Sequence, residues 1–205
     1  MPSKFRLRYV FRPLIKLISK GLIKIGFSPN LATVFMILFA FLSFIFISVF
    51  SNLLLFSVLV FMTGFMDGCD GTIARLTNTV SSFGGFFDSL MDRISEFLIF
   101  LGLIIFCWND ILWSIFDIKI VLFFSFLASL MISYFRAKAE SFYEGDYDIG
   151  LMGRSERLFY IFITSFIAHF FGLLDEFLFV FMWLVIGSAL FRFMKINKQI
   201  KDKEI

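Results

Sequence analysis

Four aspartates stand at helical spacing between residues 67 and 92, in a stretch that reads DGCDGTIARLTNTVSSFGGFFDSLMD. Asp67 and Asp70 are three residues apart, and Asp88 and Asp92 are four apart, so each pair falls on one face of a helix. Two antiparallel neighbouring helices would bring all four carboxylates close together. Four ionised carboxylates repel one another in so small a volume. The spacing therefore predicts either protonated acids or bound cations.

The ligands at this predicted site are all oxygen atoms. The face that carries the acids has no histidine, and Cys69 and Cys107 show no metal-type spacing. Carboxylates alone suit Mg²⁺, Mn²⁺ or Ca²⁺ rather than zinc or copper. Two carboxylates from each helix could hold two such ions, and a pair of ions can stabilise the attacking and leaving oxygens of a phosphoryl displacement. The pattern thus favours metal-assisted phosphoryl transfer.

Small residues accompany the acids on the same two segments. Gly68, Gly71 and Ala74 leave one side of the first segment without large side chains, and Gly84 and Gly85 do the same where the second segment begins. Small positions let helices approach closely. They also leave room for a flat ring or a pyrophosphate against the backbone. Beside four aspartates, we favour the ligand-binding interpretation.

The composition places these segments in a membrane. The chain has 205 residues, of which 60% are hydrophobic and 34 are phenylalanine, and its mean hydropathy is +0.91. An ordinary soluble domain is about 45–50% apolar. We therefore predict an all-α, polytopic membrane protein with no nucleic-acid partner. The six predicted spans, of roughly 20 residues each, cover residues 31–50, 53–75, 84–107, 118–139, 156–173 and 177–194.

Residues 1–27 differ from the rest of the chain. Lys16, Lys20 and Lys24 alternate with leucines and isoleucines at helical spacing, and the basic residues are too spread out for a signal peptide. This pattern predicts an amphipathic helix that lies in the membrane interface on the cytoplasmic side. Ser28-Pro29-Asn30 supplies a turn and a helix cap. We accordingly divide the chain into residues 1–27, the juxtamembrane helix, and 28–205, the six-helix membrane domain.

Charge predicts the orientation of the spans. Seven of the 19 lysines and arginines precede the first span, and others flank predicted loops on that side or end the chain. With six spans, Lys119 is the one lysine or arginine predicted on the opposite side of the membrane. By the positive-inside rule, both termini and the acidic segments face the cytoplasm.

Ion-coupled transport is a distant alternative to phosphoryl transfer. Transporters also keep carboxylates inside their spans. Their substrate sites usually lie near the bilayer midplane, whereas the acids here lie at one end of their predicted spans. Transport would require no release of a nucleotide, so an assay for nucleotide release would distinguish the two functions.

Four basic residues flank the loop between the fourth and fifth spans: Arg136, Lys138, Arg154 and Arg157. Membrane anchoring could account for one or two of them. Guanidinium groups also bind phosphate in bidentate fashion. Four cations in two short motifs therefore indicate a phosphate pocket, and hence an acceptor that already carries a phosphate.

Two further polar residues are given packing roles. Glu96 is three residues from Arg93, within about one turn of the same helix, and is predicted to be its partner. His169 has no acid nearby in the sequence and is expected to be a hydrogen-bonded packing residue.

The acidic stretch resembles the signature of the CDP-alcohol phosphatidyltransferase family. The matching motif is Asp67-x-x-Asp70-Gly71-x-x-Ala74-Arg75, then eight residues, then Gly84-x-x-x-Asp88-x-x-x-Asp92. The resemblance implies about six spans, a cytoplasmic amphipathic helix and a homodimer. It also implies transfer from a CDP-linked lipid, CDP-diacylglycerol or CDP-archaeol, to a small alcohol with release of CMP.

The resemblance assigns roles to the residues of this motif. Asp67, Asp70, Asp88 and Asp92 would hold two divalent ions, Mg²⁺ or Mn²⁺, and Asp92 would also be the general base. Gly71 and Ala74 would make room for the cytidine of the CDP-lipid, and Arg75 would meet its pyrophosphate.

The basic motifs are similar to those of one branch of the family, the phosphatidylinositol phosphate and archaetidylinositol phosphate synthases. Arg136, Lys138, Arg154 and Arg157 would then bind the phosphate of inositol 1-phosphate. Glycerol 3-phosphate, which also carries a phosphate, is the alternative acceptor. The choice between ester-linked and ether-linked lipid tails stays open.

Overall fold

The computed structural model describes residues 7–142, 145, 147 and 149–204, and the side chains of all but the first three and last three of these. Within this part of the chain, the fold is helical, as predicted. The elements are α1 Leu7–Lys24, α2 Pro29–Ser48, α3 Leu53–Leu76, α4 Ser82–Phe106, β1 Ile111–Leu112, β2 Phe116–Asp117, α5 Ile118–Phe142, α6 Arg154–Phe171 and α7 Leu174–Glu204.

Short polar residues fix where the first helices begin. Ser28 Oγ accepts a hydrogen bond from the backbone N–H of Leu31, and Asn52 Oδ1 accepts one from Leu55. Ser81 Oγ does the same for Gly84 at the start of α4. Each cap satisfies a backbone donor that lacks a partner within its helix. The caps explain why the predicted breaks before α2, α3 and α4 were close to the observed ones.

The structure departs from the predicted elements in two places. The loop between the third and fourth predicted spans contains a small antiparallel hairpin, in which Ile111 pairs with Asp117 and Leu112 with Phe116. Helix α7 continues to Glu204, well beyond the predicted end at residue 194. The basic segment after that residue contains neither glycine nor proline, so nothing in it stops the helix.

Four helices in the described part of the chain are long and apolar enough to cross a membrane: α2, α3, α5 and α7 through Lys201. Helices α4 and α6 were predicted as further spans, and both carry several charged residues near one end. Large apolar side chains such as Phe41, Phe97 and Trp183 are exposed on the outside of the bundle. Exposed apolar surface of this extent is typical of a membrane-embedded protein.

Helix packing brings the two acidic segments together. Helix α2 packs against both α3 and α4, while α6 packs mainly against α3. Helix α5 packs against α4 and α7. The end of α3 and the beginning of α4 therefore lie side by side over α2, with the beginning of α6 close to α3.

Helix α1 packs on the bundle through one face. Ile15, Leu22 and Ile23 contact a small buried cluster formed by Ala32, Cys69 and Ile73. The lysines at positions 16, 20 and 24 are exposed, as are Leu14 and Leu17. The helix thus buries one apolar face, and its exposed face combines cations with apolar side chains.

Gly68 allows α1 to approach α3. A Cβ atom built on Gly68 would lie 2.7 Å from Ile15 Cδ1, closer than atoms can pack. We expect Gly68→Val to lower the free energy of unfolding by about 1–3 kcal/mol, because the larger side chain overpacks this contact. Thermal or denaturant unfolding in detergent measures the change. Gly187→Val is the matched control, since a Cβ atom there meets nothing within 4 Å. Equal stability of the two variants would contradict the prediction.

Candidate active site

The four aspartates lie on the facing ends of α3 and α4. Asp67, Asp70 and Asp88 each direct one carboxylate oxygen to a common point, where these oxygens lie within 4.8 Å of one another. Asp92 lies one helical turn after Asp88 and joins the group through Arg154, which pairs with both Asp67 and Asp92. The spacing along two helices has therefore produced one compact acidic cluster.

Asp70 is the least exposed of the four acids. Its side chain is buried, with 5% of the residue exposed. Thr33 Oγ1 on α2 donates a hydrogen bond to Asp70 Oδ2 over 3.1 Å, and the backbone N–H of Gly71 donates to Oδ1. Both carboxylate oxygens are thus oriented before any ligand binds. Thr33 was not among the predicted site residues, although a lone threonine near the start of an apolar helix is a signal that could have identified it.

The residues present fit a divalent cation. Asp88 Oδ1 is buried and accepts no hydrogen bond from the described part of the chain. A buried carboxylate oxygen of this kind is costly unless a cation or donor meets it. Three converging carboxylates supply the hard oxygen ligands that Mg²⁺ and Mn²⁺ prefer.

Arg154 lies inside the acidic cluster. Its Nη1 atom donates to Asp67 Oδ1 and lies 2.5 Å from Asp92 Oδ1, while Nη2 donates to Ser95 Oγ over 2.7 Å. Arg154 is the first residue of α6, where the helix dipole disfavours a positive charge. The carboxylates offset that cost. Arg154 was grouped with the basic residues that flank the loop, and its contact with the aspartates was not predicted.

Arg157 is fully buried one turn along α6. Its Nε and Nη2 atoms donate to the two oxygens of Glu96 over 2.6 and 2.8 Å, and Nη1 donates to the backbone oxygen of Met152 over 2.9 Å. The predicted pair between Glu96 and Arg93 is therefore wrong, since Arg93 instead binds Ser89. The placement of Arg157 does not favour direct contact with a phosphate, because each of its three guanidinium nitrogens already donates to the protein.

Arg136 and Lys138 lie near the end of α5. Arg136 Nε donates to Glu140 Oε1 over 2.8 Å, and Lys138 Nζ lies 4.4 Å from the centre of the Phe142 ring. Both side chains are partly exposed. The structure therefore places neither of them in the acidic cluster or in the lining of the cavity beside it.

A cavity of about 500 Å³ opens beside the aspartates, between α2, α3 and α4. Its lining includes Asp70, Asp88, Gly71, Ala74 and Arg75. A Cβ atom on Gly71 would lie 3.3 Å from Arg75 Nη1, so the glycine lets the guanidinium fold close to the helix. The volume lies within the range of small-molecule sites. Of the small residues singled out in the sequence, Gly71, Ala74, Gly84 and Gly85 line this cavity, whereas Gly68 packs against α1.

A second, smaller cavity of about 80 Å³ lies on the other side of Asp67. Phenylalanines, aliphatic side chains and glycines from α1, α3 and α6 form most of its lining, and Ser155 and Asp67 are its polar members. The acidic cluster thus borders two cavities. We call the larger one, with Asp70, Asp88 and Arg75 in its lining, the polar cavity, and the smaller one the apolar groove.

The motif, its convergence in space and the flanking cavities agree with a family match over residues 27–194, to the CDP-alcohol phosphatidyltransferases. The chain belongs to this family. It is therefore a phospholipid-synthesising CDP-alcohol phosphotransferase, and the transport alternative is set aside.

Relatives of the CDP-alcohol phosphotransferase include synthases of archaetidylinositol phosphate and of phosphatidylinositol phosphate. The archaetidylinositol phosphate synthase of Pyrococcus horikoshii is 36% identical over 165 residues, which cover 80% of this chain and 82% of the relative. The phosphatidylinositol phosphate synthase of Mycobacteroides abscessus is 25% identical over 166 residues, covering 80% and 74%.

Solved structures share the fold of this phosphotransferase. The phosphatidylinositol phosphate synthase of Mycobacterium tuberculosis, in complex with manganese and citrate, has a TM-score of 0.76 at 22% identity, covering 89% of this chain and 88% of that one. The same enzyme with CDP-DAG bound has a TM-score of 0.74 at 23% identity, covering 90% and 94%.

Proposed function

We propose that the enzyme transfers the phosphatidyl or archaetidyl group of a CDP-lipid to inositol phosphate, with release of CMP. The cluster of Asp67, Asp70 and Asp88 beside the polar cavity carries this proposal, because hard-cation ligands next to a ligand-sized space suit phosphoryl transfer. Arg154, which pairs with Asp67 and Asp92, is the cation that would turn to an acceptor phosphate once bound ions neutralise those carboxylates. The names of the relatives in Pyrococcus horikoshii and Mycobacteroides abscessus support the same acceptor.

The donor would bind across both cavities. Gly71 and Ala74 leave room for the cytidine in the polar cavity, and Arg75 at its edge pairs with the pyrophosphate. The apolar groove beside Asp67 accepts a hydrocarbon tail of CDP-diacylglycerol or CDP-archaeol. In this arrangement, the pyrophosphate lies next to the aspartates.

Asp67, Asp70, Asp88 and Asp92 would hold two Mg²⁺ or Mn²⁺ ions. Bound there, such ions neutralise charge that develops on the transferred phosphoryl group and on the leaving oxygen. Thr33 and the N–H of Gly71 keep the Asp70 carboxylate in the ligating orientation.

Asp92 is the proposed general base. It removes the proton from the acceptor hydroxyl, whose oxygen forms a bond to the phosphorus nearest the lipid. The bond between that phosphorus and the bridging oxygen of CMP breaks, CMP leaves with the electron pair, and the proton stays on Asp92. Arg75 stabilises the pyrophosphate charge as this bond lengthens.

The acceptor phosphate would be bound by Arg154, beside the aspartates, and by Arg136 and Lys138, from the end of α5. The earlier prediction that Arg157 also binds this phosphate stays untested, and its buried pairing with Glu96 favours a supporting role. Glycerol 3-phosphate is the competing acceptor, since the same cations would bind its phosphate.

The proposal extends to the setting of the enzyme in the membrane. We propose that α4 and α6 complete a set of six spans, that α1 lies in the interface through its exposed lysines and leucines, and that both termini and the active site face the cytoplasm. Homodimeric assembly remains a prediction from the family resemblance.

An acceptor screen tests the proposed function. We expect purified enzyme, given CDP-diacylglycerol or CDP-archaeol, to release CMP and form lipid product with inositol 1-phosphate and not with inositol, because the cations need a phosphate to bind. Labelled acceptor and product chromatography measure this. Glycerol 3-phosphate provides the matched comparison. Its incorporation without that of inositol 1-phosphate would contradict the proposal.

A further inference from the structure

Glu96 and Arg157 form a buried ion pair beside the active site. Glu96 lies on α4 one turn after Asp92, and Arg157 lies on α6 one turn after Arg154. Both residues are almost inaccessible, with 2% and 0% of their surfaces exposed. The carboxylate and guanidinium groups meet in bidentate fashion at 2.6 and 2.8 Å.

The pair also holds the segment that leads into α6. The remaining guanidinium nitrogen of Arg157, Nη1, donates to the backbone oxygen of Met152 over 2.9 Å. Met152 has a φ of 55°, in the left-handed region that methionine seldom adopts. Such a conformation persists only where surrounding contacts enforce it. Arg157 is one of those contacts, and it fixes the chain two residues before Arg154.

The same turn of α4 holds Arg154 directly. Ser95, the residue before Glu96, accepts a hydrogen bond from Arg154 Nη2 over 2.7 Å. Consecutive residues of α4 thus bind the two arginines of the first turn of α6. Because α6 packs mainly on α3 and α4 mainly on α2, these side-chain bonds set the position of one helix relative to the other.

We infer that Glu96 is a positioning residue, which keeps Arg154 between Asp67 and Asp92 by orienting Arg157 and the Met152 carbonyl. Stability alone explains the pair poorly, because a buried ion pair is often no more stabilising than apolar residues of similar volume. The inference rests on the proposed function, in which Arg154 binds the acceptor phosphate.

The first test compares the Michaelis constants of the two substrates. We expect Glu96→Gln to raise the KM for the phosphorylated acceptor about tenfold or more, with little change in the KM for the CDP-lipid. Asp117→Asn, which breaks an ion pair with Lys119 outside the site, is the control and should change neither constant. Equal changes in both KM values, or no change in either, would overturn the inference.

The second test asks whether Glu96 acts on the acceptor indirectly, through the position of Arg154. In an Arg154→Lys background, Glu96→Gln should have little further effect on the acceptor KM, whereas independent roles would multiply the two effects. Multiplied effects would overturn the inference.

A double variant, Glu96→Leu with Arg157→Met, separates positioning from folding. We expect it to fold, since the buried charges are removed together, and to keep a raised acceptor KM because the Met152 carbonyl has lost its donor. A normal acceptor KM, or failure of both this variant and Glu96→Gln to fold, would overturn the inference.

Failure of the proposed function would look different from failure of this inference, because wild-type enzyme would then turn over no phosphorylated acceptor.

Discussion

Replacing Asp92 with asparagine is expected to lower kcat about 10²–10⁴-fold, the usual contribution of a positioned general base. Asparagine has nearly the same shape, but it does not accept the hydroxyl proton and is a weaker ligand for a divalent cation. Asp92 lies 2.5 Å from Arg154, the proposed acceptor ligand, so the base and the bound acceptor would be adjacent. The loss should fall mainly on kcat rather than on the KM for the CDP-lipid, because the base acts in the transition state.

CMP release under saturating substrates measures this loss. The control is Asp117→Asn, the same change of residue type in the hairpin outside the active site, which should retain wild-type turnover. The thermal midpoint of each purified variant shows whether it is folded. Full activity of a folded Asp92→Asn enzyme would show that this carboxylate is not the base.

Removal of divalent metal is expected to abolish turnover. Asp67, Asp70 and Asp88 place carboxylate oxygens within 4.8 Å of one another, and Asp88 Oδ1 is buried without a hydrogen bond in the described part of the chain. Without cations these groups would repel the negatively charged pyrophosphate of the donor. Enzyme dialysed against EDTA should therefore be inactive, and Mg²⁺ or Mn²⁺ should restore it.

EDTA already saturated with Mg²⁺ is the control for effects of the chelator itself. Asp88→Asn should raise the metal concentration needed for half-maximal activity, because one ligand loses its charge, and a direct Mn²⁺ titration of the protein should show the same weakening. Turnover that persists in protein shown by elemental analysis to be metal-free would contradict the two-metal proposal.

The fold was predictable from the sequence where local rules decide it. The helix beginnings at Ser28, Asn52 and Ser81 follow from caps that act within four residues. Helical class and the approximate positions of the helices follow from long apolar runs in the sequence. The hairpin at Ile111–Asp117 escaped prediction, because short strands depend on pairing rather than on a periodic pattern.

The pairing of distant charges was not predictable. Sequence proximity suggested Glu96 with Arg93, yet Glu96 pairs with Arg157, 61 residues away. Arg154 was predicted to bind an acceptor phosphate, which stays a prediction, but nothing in the sequence indicated that its guanidinium would pair with Asp67, 87 residues away. Such partners depend on which helices become neighbours and on how each is rotated.

By itself, the sequence determined a family, a membrane setting and two acidic helix faces, because residue spacing fixes which side chains share a face of a helix. The tertiary structure decided which residues those faces contact. Thr33 donates a hydrogen bond to Asp70, Arg154 lies among the aspartates, and Gly68 packs against α1 rather than lining the ligand cavity. These contacts arise from the packing of whole helices, and packing is settled by the sum of many weak contacts rather than by any local spacing.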